Sequence, residues 1–182
     1  MIFDSDKTIL LIIDIQEKLL NSAYNSLSIK KNAQILSITA EKLNIPIFIT
    51  EQYPKGLGET IPEIKKSLNN SKNIICEKID FNAFADKNIY NKFREFHKKQ
   101  VIICGIETHI CIYQTAEYLL NKGYETAVVY DACGSRAEIE HNIGLENIRQ
   151  KGGWVKTTEM ILFELLKSAK HPSFKDLQLL IK

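Results

Sequence analysis

Short apolar runs alternate with longer amphipathic segments along this 182-residue chain. The run at residues 8–13 is continuous and rich in branched side chains, which is typical of a strand buried on both faces of a parallel sheet. The same pattern predicts six strands, at residues 8–13, 45–50, 73–76, 100–104, 126–130 and 154–156. Helical spacing and end signals predict helices at residues 16–20, 28–43, 88–97, about 110–121, 137–150, 158–169 and 174–181. Residues 51–62 are predicted to form a long loop, and Pro172 to end the 158–169 helix.

Strands that alternate with helices favour parallel β-α-β units with right-handed crossovers. We therefore predict an α/β fold, a three-layer α/β/α sandwich around a six-stranded parallel sheet with the common strand order 3-2-1-4-5-6. In that order the first and fourth strands are neighbours, and ligands bind beyond their carboxyl ends. No linker or repeat divides the sequence, so a single domain is predicted over residues 1–182.

Composition excludes several classes of partner. The net charge is only +2 and the lysines are scattered, so we predict no nucleic-acid partner. No apolar run is long enough to cross a bilayer, and the first residues lack the pattern of a signal peptide. The four cysteines have neither C-x-x-C nor zinc-finger spacing, and two lie in apolar runs. They are interpreted as reduced thiols of a cytoplasmic protein.

The segment at residues 105–111 is the strongest indication of chemistry. An apolar run ends in Gly105, and a helical pattern opens close to Cys111, which places this cysteine at or near a helix N-terminus. Unpaired N–H groups and the helix dipole there favour a thiolate, the form that acts as a nucleophile. The backbone N–H groups of Glu107 and Cys111 are candidates for an oxyanion hole, although a plain strand-to-helix connection would have the same sequence pattern.

Asp14 and Lys78 follow the first and third predicted strands. A carboxylate at the end of a buried strand needs a partner or a function, or else caps the following helix. Lys78 fits either a solvated rim position or a fixed positive charge beside the thiol, where it would lower the thiol pKa. In the predicted strand order, Asp14 lies across the crevice from Cys111.

Four motifs, each weak alone, occur in an order and spacing that resemble the isochorismatase-like cysteine hydrolase superfamily over nearly the whole chain. They are LLIIDIQ at residues 10–16, TEQYPKGLG at 50–58, EK followed by FNAF at 77–84, and GIETHIC at 105–111. The second motif is most similar to the subgroup of isochorismatase domain-containing proteins.

The resemblance implies a catalytic triad of Asp14, Lys78 and Cys111, and a cis peptide between Ile106 and Glu107. It implies hydrolysis of a C–N bond in a small molecule: Asp14 takes the Cys111 proton, the thiolate attacks a carbonyl, and water hydrolyses the thioester. Metal-binding nicotinamidases of the superfamily carry histidines after the second strand, where this chain has Gln52 and Tyr53. We therefore expect no catalytic metal and no other cofactor.

Pocket and neighbouring roles are less constrained by the sequence. Gln52, Tyr53, Leu57, Ile112 and Tyr113 are candidate pocket residues, with simple packing as the alternative for each. His109 is expected to be structural or to lie at an interface, and Arg136 to form a structural ion pair. His141 is expected on the surface of a helix, and Trp154 in the core or at an interface.

Two alternatives to a hydrolase remain open at the level of sequence. One is a catalytically silent binding or scaffold protein, and the other is a redox-active thiol protein in which Cys111 forms a sulfenic acid. A nucleotide-binding protein is disfavoured because no glycine-rich phosphate loop follows the first strand. The superfamily resemblance implies a homo-oligomer, for which the helix that begins near Cys111 and the segment at residues 163–166 offer apolar surface.

Overall fold

The computed structural model describes residues 2–68 and 72–182; Met1 and residues 69–71, all within the predicted single domain, lie outside the described residues. The strands are β1 (Thr8–Ile13), β2 (Ile47–Gln52), β3 (Ile74–Lys78), β4 (Gln100–Ile106), β5 (Glu125–Gly134) and β6 (Trp154–Lys156). They form one parallel sheet in the order β3-β2-β1-β4-β5-β6. The predicted fold class and strand order are confirmed.

Helices flank the sheet and connect its strands. They are α1 (Glu17–Asn21), α2 (Ser26–Lys42), α3 (Pro54–Leu57), α4 (Pro62–Lys65), α5 (Lys87–Arg94), α6 (Tyr113–Asn121), α7 (Glu138–Gln150), α8 (Thr158–Leu166) and α9 (Phe174–Gln178). A π-helical turn, Thr108–Ile112, precedes α6, and short 3-10 turns lie at Ser5–Lys7 and Leu179–Ile181. Helix α2 packs against β1, β4 and β5, whereas α6 and α7 pack against each other and β5.

The central strands β1 and β4 are buried at every position. This burial on both faces explains why their sequences are continuous apolar runs rather than alternating ones. Beside the sheet, the rings of Phe84 and Phe93 pack at a tilt of 44° with centroids 4.6 Å apart, and Phe48 meets Phe93 edge-on at 5.5 Å. These rings anchor the segment after β3 against α5.

Gly105 lets β4 continue past the predicted end of its apolar run. Its φ is +138°, and a Cβ atom built there would lie 2.0 Å from the Ile13 carbonyl oxygen. Only a residue without a side chain allows β4 to approach the end of β1 this closely. The strand therefore reaches Ile106, and the loop that leads to Cys111 begins two residues later than the apolar pattern indicated.

Several element boundaries differ from the prediction. The segment predicted as a long loop contains α3 and the start of α4, because Pro54 and Pro62 each occupy a first-turn position. Strand β5 runs to Gly134 with a register irregularity opposite residues 103–105. Helix α8 ends at Leu166, where Lys167 takes a φ of +58°, and not at Pro172.

Candidate active site

Asp14 lies at the end of β1 with its side chain fully buried. Its backbone adopts a φ of +54°, and its N–H donates to the Thr50 carbonyl at 3.0 Å. The side chain accepts a hydrogen bond from Thr50 Oγ1 at 2.7 Å, and Oδ2 lies 2.7 Å from Lys78 Nζ. The alternative of a helix cap does not hold, since Gln16 is the residue at the start of α1.

Lys78 ends β3, and its ammonium group is enclosed rather than solvated. In addition to Asp14, the Nζ atom contacts Gln52 Oε1 at 2.5 Å and the carbonyl oxygens of Asp80 and Phe81 at 3.2 and 3.4 Å. It lies 3.6 Å from Cys111 Sγ. The alternative of a solvated rim lysine is therefore wrong, because only 5% of the residue is exposed.

Cys111 lies in the π-helical turn that leads into α6, and 6% of it is exposed. Its thiol interacts with both the Asp14 carboxyl group and the Lys78 ammonium group. Three residues predicted from distant parts of the sequence thus meet at the carboxyl ends of β1, β3 and β4. The contacts place a carboxyl group and an ammonium group beside the sulfur.

The thiol of Cys111 differs from the sequence-based expectation of a resting thiolate. Burial, followed by the nearby Asp14 carboxyl group, raises the pKa of the Cys111 thiol to about 12, and Lys78 opposes this only in part. Burial likewise raises the pKa of Asp14, although Lys78 and Thr50 favour its ionised form. Desolvation of the sulfur therefore favours the thiol over the thiolate, and the Lys78 ammonium group offsets this only in part.

The loop before Cys111 is held by contacts on both sides. The peptide bond between Ile106 and Glu107 is cis. The N–H groups of Ile110 and Ile112 both donate to the Glu107 carbonyl, at 3.1 and 3.2 Å. The Glu107 carboxylate pairs with Arg136, with 2.9 Å between Oε1 and Nε. These contacts hold the backbone and the side chain of Glu107 in place next to the turn that carries Cys111.

Two histidines support the same loop. His109 Nδ1 lies 3.0 Å from Ser135 Oγ, and its Nε2 is 3.7 Å from Glu140 Oε2. His141 was predicted on the surface, but it is fully buried, with Nδ1 2.8 Å from Thr108 Oγ1. Its helix packs through Gly144 directly onto the loop backbone, and this contact turns His141 inward. Periodicity within α7 gave no signal for this burial, because isoleucines occupy its outer face.

A cavity of about 520 Å³ opens beside the ammonium end of the site. Tyr53, Lys78 and Asp80 are among its lining residues, as are Asp86, the N-cap of α5, and Ile89 within that helix. Tyr53 therefore lines a cavity next to Lys78, and its role in binding a substrate stays a prediction. Gln52, Leu57, Ile112 and Tyr113 are not among the residues that line this cavity. Ile112 is fully buried, and Tyr113 packs against the hydrophobic core, so the packing alternative describes both.

Within residues 2–68 and 72–182, no group of three or more His, Cys, Asp or Glu side chains is arranged to hold a metal ion. Over the same ranges, no helix is long and apolar enough to span a bilayer. Trp154 is partly buried and packs against the hydrophobic core.

Comparison with known proteins gives the family. The sequence profile of the Isochorismatase domain matches residues 8–160. The chain belongs to the isochorismatase family. It is 36% identical over 179 residues to isochorismatase domain-containing protein 2 of Xenopus laevis, which covers 96% of this chain and 83% of that protein. The family resemblance predicted from the four motifs is confirmed.

Solved structures of the isochorismatase fold superpose closely on this chain. A protein described as MAR1 ribonuclease from Caenorhabditis elegans has a TM-score of 0.92 and 31% identity, with 100% of this chain and 92% of that chain covered. The YcaC gene product of Escherichia coli has a TM-score of 0.88 and 24% identity, with 98% and 95% covered. YcaC is described as an octameric hydrolase of unknown specificity.

Proposed function

We propose that this isochorismatase-family protein is a cysteine hydrolase that cleaves an amide-type C–N bond of a small molecule through a thioester. The observation that carries the proposal is the contact of Lys78 Nζ with both Asp14 Oδ2, at 2.7 Å, and Cys111 Sγ, at 3.6 Å, in a buried site. A nucleophile, its base and a fixed charge within contact distance are what acyl transfer by a thiol requires.

The first half of the reaction forms the thioester. The Asp14 carboxylate takes the proton of the Cys111 thiol as the sulfur attacks the substrate carbonyl. The backbone N–H groups of Glu107 and Cys111 would then stabilise the oxyanion, a contribution of about 3 kcal/mol for each donor. Asp14 returns the proton to the nitrogen as the C–N bond breaks, and ammonia or an amine leaves.

The second half releases the acid. A water molecule gives a proton to Asp14 and attacks the thioester carbonyl. The C–S bond then breaks, the acid leaves, and Asp14 returns the proton to the sulfur to regenerate the Cys111 thiol. The raised pKa of Asp14 supports this role, because a carboxylate whose pKa lies nearer to that of the thiol is a stronger base. Lys78 keeps the carboxylate in place and offsets the negative charge that passes between oxygen and sulfur.

The same features weigh against the other functions. Oxidation to a sulfenic acid depends on thiolate character and exposure, and Cys111 has a raised pKa and 6% exposure. The ribonuclease description belongs to the C. elegans protein, and we propose no nucleic-acid substrate here. A buried thiol with an acid–base carboxylate suits attack on a carbonyl, and the lysines of this chain are scattered.

We also propose that the domain acts as a homo-oligomer in the cytoplasm. Ile139 and Ile143 lie one turn apart on the outer face of α7 and are 63% and 53% exposed. Exposed isoleucines at this spacing favour a partner surface, and the E. coli YcaC protein is described as octameric. All four cysteines are free thiols, which suits a reducing compartment. Light scattering of the purified protein tests the assembly.

The hydrolase proposal is tested with Cys111→Ala and Cys76→Ala. Cys76 has the same 6% exposure but lies in β3 outside the described contacts of the site, which makes it a matched control. The two variants and the parent protein are incubated with a panel of small amides and N-carbamoyl compounds, and with an RNA oligonucleotide. We expect ammonia or amine release and a thioester mass adduct in the parent and in Cys76→Ala, and neither in Cys111→Ala.

Hydrolysis retained by a folded Cys111→Ala variant would overturn the mechanism. A parent protein that binds the amides without an adduct or product would instead favour the silent scaffold. Cleavage of the RNA with loss in Cys111→Ala would replace the proposed substrate class.

A further inference from the structure

The Gln52 side chain joins the Lys78 ammonium to the backbone just after β3. Its Oε1 accepts from Lys78 Nζ at 2.5 Å, and its Nε2 donates to the Ile79 carbonyl at 2.5 Å. An ammonium group only donates and a carbonyl only accepts, so the bridging group must offer one acceptor and one donor. A primary amide offers both from the end of one side chain. A carboxylate would repel the carbonyl, and an alkyl chain would make neither contact.

The backbone of Gln52 is itself fixed by a second amide. Gln16 Oε1 accepts from the Gln52 N–H at 2.7 Å, and Gln16 Nε2 donates to the Gln52 carbonyl at 3.0 Å. The buried Gln16 side chain therefore pairs with Gln52 as a neighbouring strand would, beyond the point where the β1–β2 register ends at Ile13 and Thr50. The two hydrogen bonds from Gln16 therefore fix the backbone from which the Gln52 side chain extends.

The neutrality of Gln52 matters for the charge at Cys111. Among the ion pairs of the described part of the chain, Lys78 has one carboxylate partner, Asp14, and its other oxygen contacts are the amide and two carbonyls. A second carboxylate at the Gln52 position would offset the remaining positive charge that the sulfur experiences at 3.6 Å.

We propose that Gln52 is a positioning residue, which holds the Lys78 ammonium against Cys111 Sγ and, as a neutral ligand, leaves its positive charge available to the sulfur. This role differs from the pocket-lining one expected from the sequence. The proposal rests on Cys111 as the proposed nucleophile, but its test needs no substrate.

The test measures the rate of Cys111 alkylation by iodoacetamide from about pH 7 to about pH 10, read by peptide mass spectrometry. The variants are Gln52→Met, which keeps the length of the side chain, and Gln52→Glu, which keeps an acceptor for Lys78 and adds a negative charge. Gln150→Met is the matched control, since Gln150 is exposed at the end of α7 and its amide donates to Glu146 on the same helix.

Both Gln52 variants should alkylate about three- to tenfold more slowly at pH 8, because a thiol that is harder to ionise holds less thiolate. Gln150→Met should stay within about twofold of the parent rate. The direction of the rate change separates this role from a merely structural one, since loosened packing would expose the sulfur and accelerate alkylation at every pH, whereas a mispositioned ammonium group would slow it.

Folded variants that alkylate at the parent rate or faster would overturn the positioning role. Thermal unfolding checks that each variant folds, and Gln52→Glu alone carries the test if Gln52→Met does not. Slower alkylation in a protein that hydrolyses no amide would support Gln52 positioning while the hydrolase proposal fails. If the parent protein hydrolyses an amide while the Gln52 variants alkylate at the parent rate, the hydrolase proposal is supported and the positioning role of Gln52 fails.

Discussion

Lys78 Nζ and Asp14 Oδ2 lie 2.7 Å apart although the strands that carry them, β3 and β1, are not neighbours in the sheet. Strand β2 runs between them, and the two side chains meet above its carboxyl end. The pair is almost completely removed from solvent, with side-chain exposures of 2% and 0%. Each charge therefore depends on the other for compensation.

Replacing Lys78 with Met should destabilise the protein by about 3–5 kcal/mol at neutral pH, because it leaves a buried carboxyl group without its partner. Urea unfolding followed by circular dichroism measures the effect. Lys30→Met is the control: Lys30 pairs with Glu63 at 2.6 Å on the surface, and its loss should cost less than about 1 kcal/mol. Equal losses in the free energy of unfolding for the two variants would show that the Lys78–Asp14 pair contributes no more to stability than a surface ion pair.

Asp14→Asn should change the two reactions of Cys111 in opposite directions. Loss of the base should reduce amide hydrolysis by about 10²- to 10⁴-fold. Alkylation of the thiol should instead become faster, because the Asp14 carboxyl group raises the pKa of the Cys111 thiol. Asp176→Asn, at an exposed ion pair with Lys42, provides the control. Amide hydrolysis retained by a folded Asp14→Asn variant would argue against Asp14 as the base.

His141 should make the folded state less stable as the pH falls. Burial lowers the pKa of His141 from 6.5 to about 4, so between these values the unfolded chain binds more protons than the folded one. Stability is then lost as pH falls from about 6.5 towards 4, by on the order of 2 kcal/mol from this residue. In the His141→Gln variant, the free energy of unfolding should depend less on pH over this range. Urea unfolding at a series of pH values measures this. If the free energy of unfolding of the variant fell with pH as steeply as that of the parent, His141 would not be the source of the pH dependence.

Gly105→Ala should cost about 3 kcal/mol or more, because a Cβ atom there would overlap the Ile13 carbonyl and force β4 away from β1. Gly123→Ala is the matched control. Gly123 also has a positive φ, of +78°, but a Cβ atom would meet nothing within 4 Å. Its cost should therefore be limited to about 1–2 kcal/mol of backbone strain. Thermal unfolding of the two variants separates steric overlap from backbone strain. Similar losses of stability would show that β4 can move away from β1 without a large energetic cost.

The sequence by itself determined the sheet and the chemical set. Continuous apolar runs such as Thr8–Ile13 mark buried parallel strands, and polar residues at or just past the carboxyl ends of strands, such as Lys78 and Asp14, lie at one edge of the sheet. The order and spacing of the four motifs identified Cys111 as the third residue of the set and indicated the family. These features are local in sequence or depend only on strand order, and the structure brings the three side chains together as their order implied.

Only the tertiary structure decided the electrostatic state of the site and the roles of its neighbours. Whether Cys111 rests as a thiol depends on how many atoms from other elements exclude water from it, and no pattern near residue 111 records this. The burial of His141 depends in the same way on the packing of α7 against the loop through Gly144. Gln52 acquires its partner from β3, which follows it by more than twenty residues. Periodicity reports which face of an element is buried, whereas desolvation and pairing at a site are set by contacts between elements that are distant along the chain.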